Sequence, residues 1–158
     1  MIIIENTFRK TAVETVVLPE GMKEIPAAAF NQATKLTSVN IPSTVDSIGV
    51  HAFQGVGLTE LVIPATVKNI DFGAFRGMPN LTTVTFEGNV DVPEYAFREC
   101  TKLSTVYFNG ENVTVDKNLA FVNVINGELG ITFYVQNTTV EATLKALYGQ
   151  NTKVVVLT

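Results

Sequence analysis

The stretch "VNIPSTVDSIGVHAF", residues 39–53, is followed by "LVIPATVKNIDFGAF", residues 61–75, with Ile-Pro, Val, Ile and Ala-Phe in the same places. Self-similarity of this kind constrains a fold more than any composition does, because each copy must adopt the same local structure. Aligning on Ala-Phe gives Ala29-Phe30, Ala52-Phe53, Ala74-Phe75, Ala96-Phe97 and Ala120-Phe121, in steps of 23, 22, 22 and 24 residues. Aligning instead on Val13, Leu36, Leu58, Leu81 and Leu103 gives steps of 23, 22, 23 and 22. Two independent anchors return one period.

One unit reads L-x-x-V-x-I-P-x-x-V-x-x-I-x-x-x-A-F-x-x-small. The second copy places Leu36, Val39, Ile41, Pro42, Val45, Ile48, Ala52, Phe53 and Val56 in these slots. In the fourth copy Glu87-Gly88 replaces the proline step, and in the fifth Asn109-Gly110 does. Val-x-Ile alternation describes a short strand with one buried face. A proline next to it cannot donate to a ladder and ends the strand. Ala-Phe-x-x-small suits a single helical turn that drops the phenyl ring inward. A unit of this length cannot bury its apolar positions alone, but stacked copies share a continuous core. Each phenylalanine is expected to lie on its homologue in the next coil. The predicted fold is a repeat solenoid, mainly β with short helical turns.

L-x-x-V-x-I-P-x-x-V-x-x-I-x-x-x-A-F-x-x-[small or Cys]-x-x-L resembles the BspA-like, or Treponema pallidum type, leucine-rich repeats over residues 13–124. "ITFYVQNTTVEATLKALYG", residues 131–149, is similar to the strand-plus-helix cap that closes such arrays, with Gln136 where that family has proline. The resemblance implies a right-handed leucine-rich-repeat superhelix with a parallel sheet on its concave side and a strand-helix-strand cap. It also implies a secreted or cell-surface protein of a host-associated microbe, engaged in adhesion.

The expected organisation is an N-terminal cap strand in residues 1–12, five repeats in 13–126 and a C-terminal cap in 127–158. Ile2 to Ile4 would form the N-terminal strand and Glu5 to Lys10 a polar connector. At the other end Thr138 would be the N-cap of a helix with Glu141 completing a capping box. Val140, Leu144 and Leu147 fall on one helical face, and Val154 to Leu157 would close the array. With both ends sealed, the chain is expected to be a complete small domain, the alternative being a piece trimmed from a longer protein.

Composition narrows the function. The 158 residues are 46% hydrophobic with a net charge of −4, and Lys/Arg are not clustered. A nucleic-acid binder needs a basic stripe, so that class is not expected. Apolar runs of about four residues fall far short of the roughly 20 of a membrane span. Met1 leads into three isoleucines and Glu5, which does not read as a signal peptide. The single cysteine, Cys100, sits in the small-apolar slot with Ala33, Val56, Met78 and Val124 and reads as a core thiol.

His51 occupies a variable position shared with Ala28, Gly73, Tyr95 and Leu119 and is expected on the convex side. Asp46, Asp71, Asp91 and Asp116 do not share one repeat position, which speaks against a calcium ladder. The Asn109-Gly110 and Asn126-Gly127 pairs read as turns. Catalytic residues, metal ligands and cofactors are not expected.

Residues between the core positions of the strands must face the concave solvent side. One column is Thr15, Ser38, Glu60, Thr83 and Thr105; the next is Val17, Asn40, Val62, Thr85 and Tyr107. Good β-formers on a solvated sheet would produce the same columns. The sharper reading is a ligand-binding face of Glu60, Val62, Thr83, Thr85, Thr105 and Tyr107, with Tyr107 as its anchor. The expected function is non-enzymatic protein–protein interaction by a monomer, through adhesion to host or cell-surface ligands. The alternative is a carbohydrate-binding module with a glycan partner.

Overall fold

The computed structural model describes residues 2–116, 120, 121, 124, 125 and 128–157. The expected Leu119 position and the Asn126-Gly127 turn lie outside the described residues, as does the side chain of Val124.

The chain winds as a parallel β-solenoid of about six turns with one short helix near its C-terminus. Each coil contributes a strand to the concave face and a second strand on another side. The first three coils supply β1 (Thr15–Val16) and β2 (Glu24–Ile25), β3 (Ser38–Val39) and β4 (Ser47–Ile48), then β5 (Glu60–Ile63) and β6 (Asn69–Ile70). The next two supply β7 (Thr83–Phe86) and β8 (Val90–Val92), then β9 (Thr105–Phe108) and β10 (Val113–Val115). A short antiparallel pair, β11 (Val124–Ile125) and β12 (Glu128–Leu129), leads into the cap. The cap is β13 (Thr132–Val135), α1 (Thr138–Tyr148) and β14 (Lys153–Val156). It is a parallel strand-helix-strand unit, and both strands join the concave sheet in the order β14-β13-β9-β7-β5.

The phenylalanine column forms as the repeat demands. Phe8, Phe30, Phe53, Phe75, Phe97 and Phe121 stack in file, with successive ring centroids 5.3, 5.1, 5.7, 5.0 and 5.2 Å apart. A second column begins where the Ile slot becomes aromatic: Phe86, Phe108 and Phe133, at 5.1 and 6.1 Å. The Tyr148 ring lies on Phe133 at 6.1 Å and meets the edge of Phe121 at 6.5 Å, so one side chain of α1 covers the ends of both columns.

Phe8 extends the column beyond the five expected copies. Ile2 to Ile4 is not a strand, and Glu5 to Lys10 is not a plain connector. Residues 6–10 instead repeat the Ala-Phe segment one coil earlier. Asn6, Phe8 and Lys10 N–H groups donate to the Ala27, Ala29 and Asn31 carbonyls at 3.3, 2.7 and 2.8 Å. The concave end of the same edge stays open, with Ile2, Ile4 and Val17 exposed.

The Ala-Phe segment is not a helical turn. Residues two before and two after Phe8, Phe30, Phe53, Phe75 and Phe97 have positive φ, as in His51 at 54° and Gln32 at 59°. Alternating handedness turns every second N–H toward the next coil: Ala28, Phe30 and Gln32 donate to Val50, Ala52 and Gln54 carbonyls at 2.9, 2.8 and 2.7 Å. Helical φ throughout would spend those donors within the segment and leave the coils unjoined there. His51 pays for this with a left-handed backbone that costs a β-carbon some strain.

The helix cap is Asn137, not Thr138. Asn137 Oδ1 accepts from Val140 N at 2.9 Å while its Nδ2 donates to the Glu111 carbonyl at 3.0 Å. Asparagine caps as well as threonine does, and here it also ties the helix to the preceding coil. Glu141 therefore lies one position too far along for a capping box and pairs with Lys145 Nζ at 2.7 Å. Val140 and Leu144 are buried as expected.

Candidate ligand-binding face

The strand register assembles the expected columns and lengthens both. Glu60, Thr83 and Thr105 are continued by Thr132 and Lys153, and Val62, Thr85 and Tyr107 by Tyr134 and Val155. All six expected residues thus share one face. Glu60 and Val62 are exposed, and Thr83, Thr85, Thr105 and Tyr107 are half-buried. Their core neighbours Leu61, Val84 and Val106 are buried, as the alternation requires.

Tyr134 is the functional candidate missing from the sequence-based face. Its ring stacks on Tyr107, centroids 4.7 Å apart and planes 20° from parallel. The signal was present, because "TFYV" at 132–135 has the same alternation as "TVYF" at 105–108. The helix that follows made the segment read as cap alone.

The upstream part of the face is organised differently. Asn40 does not project free: Oδ1 accepts from Leu18 N at 2.7 Å and Nδ2 donates to Leu18 O at 3.4 Å. β3 pairs with β1, and no ladder joins β3 to β5. The reason lies in the link between coils. Thr34-Lys35, Pro79-Asn80 and Thr101-Lys102 each span the step from the small slot to the leucine, but Gly57 spans it alone. A β-carbon on Gly57 would run into the Thr34 carbonyl, so the shortened link is already pressed against its neighbour. The entry bonds Thr37 N to Glu14 O, Thr82 N to Thr59 O and Ser104 N to Thr82 O, at 2.9, 2.8 and 3.0 Å, have no counterpart from Thr59 N to Thr37 O. A cleft of about 390 Å³ opens on the concave face at this break.

Cys100 and His51 are both engaged in packing and hydrogen-bonding contacts. Cys100 is fully buried, its Sγ 3.2 Å from the Phe75 carbonyl, and burial pushes its thiol up from the ordinary 9.0 to about 12. Iodoacetamide at pH 8 is therefore expected to leave Cys100 unlabelled in the folded protein and to label it in denaturant, as mass spectrometry would read. Because the folded value lies above the unfolded one, the stabilising difference is complete below pH 9 and is lost as pH rises toward 12. His51 Nδ1 lies 3.4 Å from the Gly73 carbonyl and its ring meets the edge of Phe72. Among the described residues, no group of three or more His, Cys, Asp or Glu side chains could hold a metal ion.

The convex side carries a ridge that the repeat pattern did not announce. Phe72 is 41% exposed beside Tyr95, and the Arg98 guanidinium lies 4.7 Å over the Tyr95 ring. Arg76 donates to Glu99 at 2.6 Å, which holds the Glu99 carboxyl below the usual carboxylate range.

The sequence profile of the BspA type leucine rich repeat region matches residues 1–127 in six copies. The chain belongs to this family. Six copies agree with six phenyl rings in file and with Phe8 marking a unit upstream of the five recognised by spacing. Among solved structures, this BspA-type repeat chain is similar to the pneumococcal vaccine antigen PcpA, with a TM-score of 0.81 and 23% identity. That likeness covers 98% of the chain and 38% of PcpA. It is also similar to the T. pallidum leucine rich repeat protein, with a TM-score of 0.60, 20% identity, and 96% and 77% of the two chains covered. A leucine rich cell surface protein from Faecalibacterium prausnitzii matches with a TM-score of 0.53 and 20% identity, over 73% of this chain and 41% of that one. At these identities the solved structures share the fold. The BspA-type chain spans well under half the length of PcpA. No curated protein shows significant sequence similarity to it.

Proposed function

We propose that this BspA-type repeat domain is a non-enzymatic, monomeric interaction module that binds a protein ligand on its concave face and serves adhesion at a cell surface. The observation that carries the reading is the stacked Tyr107–Tyr134 pair, half-buried in its own sheet with Thr105 and Thr132 alongside. Tyrosines held by each other lose little side-chain freedom on binding, and tyrosine is favoured at interface hot spots. The cap enlarges the face: β13 and β14 extend the ladder of β5, β7 and β9 at about 4.8 Å per strand, which widens it by roughly 10 Å. That width brings the sheet nearer the ~800 Å² that a standard interface takes from each partner. A surface setting is supported by the descriptions of two similar structures, one a vaccine antigen and one a cell surface protein.

The test begins with a pull-down from host-cell surface proteins and a glycan array in parallel. For a captured protein, Tyr107→Ala and Tyr134→Ala are each expected to weaken affinity about 30-fold without lowering the melting temperature by more than a few degrees. Unchanged affinity in both variants moves the site off this face. Binding to a glycan with no protein captured replaces the protein reading with the carbohydrate one.

A further inference from the structure

The concave face is not one continuous sheet, and its interruption has a chemistry of its own. The cleft between β3 and β5 is lined by Val39, Asn40, Val62 and Pro64, with the carboxylates of Glu60 and Glu87 beside it. Glu87 stands where the first three coils carry Pro19, Pro42 and Pro64, so the fourth coil alone places an acid at this height. Both carboxylates are exposed. Neither is ion-paired, since the ion pairs among the described residues are Arg76–Glu99, Arg98–Glu99 and Lys145–Glu141. Asn40 has both amide groups occupied by Leu18 and acts as a fixed wall.

We infer that this cleft receives a lysine or arginine side chain from the protein segment bound on the concave face. The inference rests on the concave-face reading and names the partner's chemistry. Long basic side chains lay their methylene stems along apolar surface and keep the charged head at its polar edge. Val39, Val62 and Pro64 offer the first environment, and Glu60 and Glu87 the second. An apolar side chain would desolvate the two carboxylates without compensation, and an acidic one would be repelled. The volume of about 390 Å³ is at the small end of ligand sites and leaves ample room for one long side chain. The break arises from a deletion in the link at Gly57, and the acid from loss of the proline in another coil. The two departures from the repeat meet at one place.

The probe is acetyl-Gly-Gly-Arg-Gly-Gly-amide, titrated into the ¹⁵N-labelled protein beside its citrulline and glutamate counterparts. The arginine peptide is expected to shift amides of residues 38–41, 60–63 and 87 saturably, and the other two peptides are not. Glu60→Gln and Glu87→Gln are each expected to weaken binding about two- to fivefold, as exposed ion pairs do. Salt at 0.5 M is expected to weaken it similarly. Equal shifts with arginine and citrulline, no shifts at all, or shifts unaffected in the double variant would overturn the inference. A captured protein that is lost with Tyr107→Ala but bound normally by the Glu60→Gln, Glu87→Gln double variant leaves the concave-face reading standing and removes the cleft from it.

Discussion

Phe75→Ala is expected to destabilise the domain by about 3–5 kcal/mol, the usual cost of emptying a buried phenylalanine site. Phe75 has no exposed surface and is stacked on both faces, by Phe53 at 5.7 Å and Phe97 at 5.0 Å. The loss combines transfer of the ring to water, two stacking contacts and a cavity. The coils above and below cannot close that cavity, because ladders between them hold their spacing. Phe75 N–H donates to the Ala96 carbonyl at 3.0 Å, and Phe53 N–H to Ala74 at 2.8 Å. The melting temperature should fall by about 10 °C, given roughly 2–4 °C per kcal/mol for a chain of this size. Phe8→Ala is the internal comparison. Phe8 ends the column, is half-buried and has one stacking partner in Phe30, so its loss should cost about half as much. Equal effects at Phe8 and Phe75, or no effect at Phe75, would show that the column is not a shared core.

Leu144→Asp is expected to exceed about 4 kcal/mol, since it removes a buried apolar side chain and leaves a carboxylate without a buried cation. Leu144 is fully buried on the inner face of α1, with Val140 a turn earlier. The same helix carries Tyr148 onto Phe121 and Phe133, so loosening it uncovers both aromatic columns at once. The damage should be directional. Repeat arrays are stabilised by nearest-neighbour interfaces, so β13 and β14 should lose hydrogen-exchange protection before β2, β4 and β6 do. A dye that reports exposed apolar surface should bind the variant and not the parent. Uniform loss of protection along the chain, or a denaturation midpoint like that of the parent, would refute a cap that acts from one end.

The repeat made most of the core legible without a structure. Ala29, Ala52, Ala74, Ala96 and Ala120 are buried beside their phenylalanines, and Cys100 occupies the apolar slot that its register assigned. The concave columns followed for the same reason, because alternation along a strand needs no knowledge of what lies opposite. The errors lie where a residue's partner is in another coil or at a boundary. Phe8 was invisible as a core residue because its coil lacks an Ala-Phe pair; Thr7 fills the alanine place. Asn137 displaced Thr138 as the cap because the Glu111 carbonyl next to it rewards an amide donor that threonine lacks.

What this sequence determined by itself was the period, the inward-facing set and the order of the coils. Five spaced copies of one hydrophobic pattern can bury their apolar side together only by stacking in register. What the tertiary structure alone decided were the features made between coils: left-handed turns that send N–H groups onward, the gap beside Gly57, and the meeting of Tyr107 with Tyr134. Those depend on backbone hydrogen bonds and ring contacts between residues some two dozen positions apart or more, and a single unit's pattern carries no record of its neighbour's geometry.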